Sequence, residues 1–133
     1  MIIENLFDLQ KWINENSILY FNAEEFKCPC CGKVKIETEL IEKLDNLRHI
    51  YGKPIKINSG YRCPKHNKEI GGSPTSSHLK GLAVDIDIYT SKGRYEILEL
   101  VFKNSLFDRI GVAKTFIHLD IDKKKVNKVM WLY

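Results

Sequence analysis

LAVDIDI (residues 82–88) and TFIHLDI (residues 115–121) are the two stretches that decide the fold. Each alternates with the two-residue period of a half-buried strand. In the first, Ala83, Asp85 and Asp87 share one face, and Leu82, Val84 and Ile86 share the other. In the second, Phe116, His118 and Asp120 oppose Ile117, Leu119 and Ile121. Two strands therefore each present a polar group from the middle of an apolar run. If they are neighbours in one sheet, Asp85 and His118 converge. His78 sits at the end of the loop (60–78) that leads toward the first strand, so it can fold over to join them.

The rest of the chain supplies helices mainly before these strands. Residues 4–15 carry Leu6, Leu9 and Ile13 at helical spacing. IETELIEKLDNLRHIYG (residues 36–52) places Leu40, Leu44, Leu47 and Tyr51 on one stripe. Glu37 and Glu39 lie in its first turn and Gly52 follows its end. KPIKINS (53–59) reads as a short strand, and GYRCPKHNKEIGGSPTSSH (60–78) as a loop with one helical turn from Pro64 to Ile70. Residues 93–103 form a further helix. RIGVA (109–113) and TFIHLDI are strands joined by a short turn, and VNKVMWLY (126–133) supplies a last strand. Helices early, strands late and hairpin-length links predict an α+β fold with a central antiparallel sheet and helices mainly on one side.

With 133 residues the chain is long enough for one real core, so we expect a single domain over 1–133, with an N-terminal helical extension (1–25) and a core (26–133). The formal charge is only +4, and no basic stripe is interleaved with aromatic residues, which argues against a nucleic-acid partner. No apolar run approaches the ~18 to 20 residues that span a bilayer. MIIENLFDLQKWINEN (1–16) lacks the basic start and apolar block of a secretory signal. The expectation is synthesis in the cytoplasm, no membrane partner and a monomer.

Three of four cysteines are packed into CPCCG (Cys28, Cys30, Cys31), and the fourth is Cys63. Such spacing in a chain read as lacking a signal peptide favours metal or redox use over a disulfide framework. Four thiolates can in principle close a structural metal site. A second C-x-x-C pair is missing, however, so small buried residues or a single disulfide is the plainer reading.

His78, Asp85 and His118 form a different set. Two imidazoles and a carboxylate make a three-ligand zinc site with its fourth position left for water. A lone strand histidine is more often a satisfied structural residue, so the pattern alone leaves both readings open.

The motif S-x-H-x-x-G-x-A-x-D (Ser76, His78, Gly81, Ala83, Asp85), followed by F-[IV]-H-x-D (Phe116 to Asp120), resembles the zinc D-alanyl-D-alanine carboxypeptidase family. That family includes bacterial and phage murein peptidases and shares its fold with the hedgehog signalling domain. INSGYRCPKHNKEIGG (57–72) resembles the family's segment before the first ligand, and Trp131 fits a branch with tryptophan in its last strand. The likeness spans about residues 26–131.

The resemblance implies that His78, Asp85 and His118 bind one catalytic Zn²⁺. It makes Arg62 the residue that holds the substrate's anionic group, which suits a planar, permanently charged fork. Ser76 matches a substrate-side serine, although a turn or cap hydroxyl explains it equally well. The implied activity is a zinc metallopeptidase cleaving peptidoglycan stem peptides, as a D-Ala-D-Ala carboxypeptidase or an L,D-/D,D-endopeptidase. The setting would be the cell wall, as a phage or prophage lysin or a tail-associated enzyme. One departure matters. Peptidases of this family often carry a carboxylate three residues before the last histidine, and here that position is Thr115. Asp120 is the nearest replacement, as general base or as a group that only holds an imidazole N–H. Thr115 also supports the rival reading, a non-catalytic zinc-containing binding module.

Overall fold

The alternation in residues 83–87 and 116–120 becomes two adjacent strands whose apolar faces meet the helices and whose polar faces meet each other. A computed structural model describes residues 1–133. In chain order the elements are β1 (Ile2–Ile3), α1 (Leu6–Glu15), β2 (Ile36–Glu37), α2 (Thr38–Tyr51) and β3 (Ile57–Ser59). They continue with α3 (Pro64–Glu69), β4 (Ala83–Asp87), α4 (Ser91–Lys103), β5 (Arg109–Val112), β6 (Phe116–Asp120) and β7 (Val129–Leu132). Short 3-10 turns at Ala23–Phe26 and Ser77–Lys80 complete the chain.

Helix boundaries follow local chemistry. Asn5 caps α1 by accepting the Asp8 N–H at 3.0 Å, and Thr90 caps α4 by accepting the Gly93 N–H at 2.9 Å. Helix α2 ends at Gly52, whose φ of 73° and N–H to the Arg48 carbonyl close the last turn. The inward stripes are Leu9 and Ile13 from α1, Leu40, Ile41, Leu44 and Leu47 from α2, and Ile97 and Val101 from α4. They form one cluster with Val84, Ile86, Ile110, Ile117 and Leu119 of the sheet. Each such fully buried side chain contributes about 1.5 to 3 kcal/mol. Asp45, buried in α2, accepts the N–H groups of Leu19 and Tyr20 and so ties the segment after α1 to this core.

The fold is α+β with the helical core on one sheet face. The five-stranded sheet runs β3-β4-β6-β5-β7. The first four strands pair antiparallel, as the hairpin-length links lead one to expect, but β7 joins β5 in parallel. Residues 121–128 carry the chain back across the end of the sheet, so β7 enters from the same end as β5. Strand β3 is shorter than KPIKINS suggested, and the β1–β2 ribbon was not foreseen.

A candidate metal centre on the polar sheet face

The sheet register writes a row of side chains across the face opposite the helices. Asp85 of β4 stands directly beside His118 of β6, with Ser59 of β3 beyond Asp85. On the other side His118 faces Gly111 of β5, which faces Trp131 of β7. A Cβ on Gly111 would lie 2.6 Å from the Trp131 indole nitrogen. Its absence lets Trp131 lean over the sheet against His118, ring centroids 5.3 Å apart. His78 comes from above the sheet, in the turn Ser77–Lys80, and its ring sits 5.1 Å from that of His118.

These three residues, all buried, bring their ligand atoms within 4.8 Å of one another. Asp85 Oδ1 is the hub, 3.2 Å from His78 Nε2 and 3.0 Å from His118 Nδ1. Ligands ~2.0 Å from a shared tetrahedral centre would lie ~3.3 Å apart, so the spacing suits zinc.

The outer nitrogens decide what the inner ones can do. His78 Nδ1 lies 2.7 Å from the Gly60 carbonyl, and His118 Nε2 lies 2.7 Å from Asp120 Oδ2. A carbonyl and a carboxylate only accept, so both outer nitrogens carry hydrogens. Burial pushes the His78 pKa down, with Asp85 only partly offsetting it, so the ring is neutral and its Nε2 presents a lone pair. That lone pair faces the Asp85 carboxylate, acceptor against acceptor. A cation between them resolves the conflict.

Burial would also lower the His118 pKa, but hydrogen bonds to Asp120 and Asp85 overcome it and raise the value. Without metal, the shared positive charge is a proton on His118. Burial opposes ionisation of Asp85 too, yet His118 and His78 hold its carboxyl well below the usual carboxylate range. The donor set therefore fits a divalent ion of the zinc type: two oriented imidazoles, one ionised carboxylate, and a proton on His118 to be displaced.

The remaining sequence candidates surround this point. Arg62 donates from Nη2 to Asp85 Oδ2 at 3.0 Å, from Nε to Ser59 Oγ at 3.0 Å and from Nη1 to Asn67 Oδ1 at 3.4 Å. It neutralises the outer oxygen of Asp85, and two of its five N–H groups remain for another acceptor. Ser76 lines the cleft, and its Oγ accepts the His78 N–H at 3.2 Å, the contact expected of a cap. Thr115 is exposed at the start of the hairpin strand.

Asp120 stands on the far side of the His118 ring. Its Oδ2 takes the imidazole N–H, and its Oδ1 takes Arg109 Nε at 2.8 Å and the Asp122 N–H at 3.1 Å. Burial raises its pKa, but His118 and the Asp122 amide outweigh burial and keep it low. Arg109 also donates to the Val126 carbonyl and lies 5.2 Å over the Trp131 ring.

Several residues here escaped the sequence reading, namely Arg109, Asp122, Tyr133 and the Gly60 carbonyl. Buried Asp122 accepts Ser77 Oγ at 2.8 Å and Lys80 Nζ at 3.0 Å, pinning both ends of the turn that carries His78. Its place two residues beyond Asp120 in the same alternation was the available signal. Burial raises its pKa, and the Ser77 and Lys80 bonds more than reverse this.

A prediction follows from the sign of these shifts. Unfolded carboxylates titrate near pH ~3.9, and both Asp120 and Asp122 titrate lower in the fold. Their stabilisation is present above about pH 4 and is lost as pH falls through the folded values. Thermal unfolding followed from about pH 5 down to about pH 2 should show that loss, and Asp122→Asn should flatten the slope below about pH 4. An unchanged slope in that variant would remove Asp122 from the account.

The centre opens into a cleft of about 420 Å³, lined by Arg62, Ser76 and Lys125 and by the aromatic rings of Phe116, Trp131 and Tyr133. A wider cleft of about 520 Å³, beside Glu39, Lys43 and Asp108, holds no histidine or cysteine, so ligand chemistry favours the smaller one. No helix is long and apolar enough to cross a membrane.

Comparison with known proteins bears on the same region. A family model described as peptidase M15 matches residues 19–120. The zinc D-Ala-D-Ala carboxypeptidase of Streptomyces albus G is 42% identical over 45 residues, 33% of this chain and 18% of that protein. The matched segment is thus under a fifth of that relative's length.

Proposed function

Because the chain belongs to the peptidase M15 family, we propose that it is a zinc peptidase acting on peptidoglycan stem peptides, with His78, Asp85 and His118 as the metal ligands. The observation that carries the reading is the meeting of a neutral His78 nitrogen, His118 Nδ1 and an ionised carboxylate, with both outer imidazole nitrogens committed as donors. Zn²⁺ bound there supplies Lewis-acid chemistry, polarising a peptide carbonyl and acidifying water.

The chain's own residues do the rest. The Gly60 carbonyl and Asp120 fix the two imidazoles. Arg62 holds the outer oxygen of Asp85 and offers its spare N–H groups to a substrate carboxylate or carbonyl. Phe116, Trp131 and Tyr133 form a wall against which apolar parts of a peptide can lie. Cleavage of a D-Ala-D-Ala or an L,D-/D,D-endopeptidic bond, at the cell wall in a phage lysin or tail setting, is the finer form of the proposal. Hydrolysis of a stem pentapeptide that is lost on chelation and regained with zinc tests it. Zinc binding without any hydrolysis would favour the second reading, a non-catalytic module, for which Thr115 is the specific observation.

Asp120 has two candidate roles, and its contacts support the holding one. Three of its roughly four acceptor positions are taken by His118, Arg109 and a backbone N–H, and it lies on the side of the ring away from the ligand atoms. Asp120→Asn should therefore weaken zinc affinity by about 10- to 100-fold. At saturating zinc, kcat should stay near wild type. A fall in kcat of ~10²-fold or more at saturating zinc, with affinity unchanged, would instead make Asp120 the general base.

A further inference from the structure

The cysteines form the second cluster of ligand atoms in the molecule. The sulfur atoms of Cys28, Cys31 and Cys63 lie within 4.8 Å of one another, although 35 residues separate Cys28 from Cys63. Cys28 is fully buried, Cys63 is half-buried, and Cys30 and Cys31 face solvent. All four thiols are unbridged.

The backbone is arranged around the sulfurs. In Cys28-Pro29-Cys30-Cys31-Gly32 the chain turns back on itself, with the Gly32 N–H donating to the Cys28 carbonyl at 2.8 Å and the Cys28 N–H to the Lys33 carbonyl at 2.8 Å. The Cys63 N–H donates to Cys28 Sγ at 3.5 Å. The His66 N–H donates to Cys63 Sγ at 3.4 Å. Cys30 stands next to Cys31 in the chain and faces solvent, outside the triangle itself.

We propose that Cys28, Cys31 and Cys63 bind a second, structural zinc ion, with Cys30 as the fourth thiol on the exposed side. A disulfide would use two of three convergent sulfurs and leave the third without a partner, whereas a tetrahedral ion uses all of them. Thiolates ~2.3 Å from zinc stand ~3.8 Å apart, which the observed limit accommodates. The C-x-x-C pair is present, and Cys63 supplies from a distant loop what a second pair supplies in a zinc ribbon.

The position gives the ion a task. It joins the segment around residue 28 to the loop around residue 63, which already run side by side through the Tyr61 N–H to Phe26 carbonyl bond at 2.9 Å. That loop carries the Gly60 carbonyl, which holds His78 Nδ1, and Arg62, which holds Asp85. A metal at the cysteines would therefore brace the backing of the other centre. The inference does not depend on peptidase activity.

The test uses the full chain purified anaerobically with reductant. Wild type should hold about two zinc ions, and His118→Ala should keep about one. Cobalt loaded into His118→Ala should show intense thiolate-to-metal charge-transfer absorption in the near ultraviolet. Cys28→Ser/Cys31→Ser should lose that absorption, and Cys30→Ser should weaken binding less than Cys63→Ser. If the double variant fails to fold, the cobalt spectrum of His118→Ala still decides. No metal and no such band in His118→Ala, with all four thiols reacting at once with a thiol reagent or with a disulfide that persists under the reductant, overturns the proposal. Failure of the histidine centre would show instead as a wild type holding only thiolate-bound metal.

Discussion

Asp85→Ala is expected to strip zinc from the histidine centre, to lower kcat/KM by at least ~10³-fold, and to destabilise the metal-free fold by about 3 to 5 kcal/mol. The activity loss reflects the several kcal/mol that Lewis-acid stabilisation supplies. The stability loss has another origin. Asp85 Oδ2 is the ionic partner of Arg62, whose side chain is only 13% exposed, and Oδ1 faces the protonated His118. Truncation strands both positive groups in a buried setting. Asp85→Asn keeps the volume and part of the hydrogen bonding while removing the charge, so it should lose zinc and turnover but less stability. Metal content, turnover of a stem pentapeptide and urea unfolding of the metal-free proteins measure the three effects. Normal zinc in both variants would show that Asp85 is the counter-ion of Arg62 and not a ligand.

Gly81→Ala is expected to cost about 3 kcal/mol or more, although Gly81 has no side chain to offer the histidine centre. Its φ is 74°, a left-handed conformation that costs other residues roughly 1 to 2 kcal/mol. A Cβ there would also lie 2.3 Å from the Lys35 carbonyl oxygen and 2.9 Å from the Ile36 Cα, backbone atoms that cannot swing aside. Gly52 provides the control, since its φ of 73° is nearly the same and a Cβ there meets nothing within 4 Å. Gly52→Ala should lose only the conformational part. Gly81 also closes the turn whose second residue is His78, so its replacement should weaken zinc binding as well. Equal costs at the two glycines, read from urea unfolding, would mean that the close approach to residues 35 and 36 is relieved at no expense.

Periodicity made much of this legible. Alternation put Asp85, His118 and Asp120 on the polar faces of their strands, and spacing placed the helix stripes that pack against the opposite faces. Periodicity says which face a residue takes but not which strands are neighbours. Arg109 reads only as the first residue of a strand until β5 is known to pair with β6, whereupon it stands opposite Asp120. The parallel pairing of β7 has no local signature at all, and with it Tyr133 stayed out of view. Cys63 meets Cys28 and Cys31 through loops that carry no periodic pattern. Arg62 is visible as a cation in SGYR, but its bond to Asp85 depends on the path of that loop.

The strand order gives the two sides of the cleft different freedom to move. Strand β6 lies in the middle of the sheet with partners on both edges, so releasing it means opening the core that Ile117 and Leu119 help to build. Strand β7 is an edge, bonded only to β5, with Met130 and Leu132 in solvent. Its amides are expected to exchange through local opening, and those of β6 only through larger unfolding. Asp85 and His118 thus stand on a slow, rigid floor, and Trp131 and Tyr133 form a wall able to breathe. On the proposed function, parting that wall would admit a bulky peptide without breaking the contacts that His78, Asp85 and His118 make with one another.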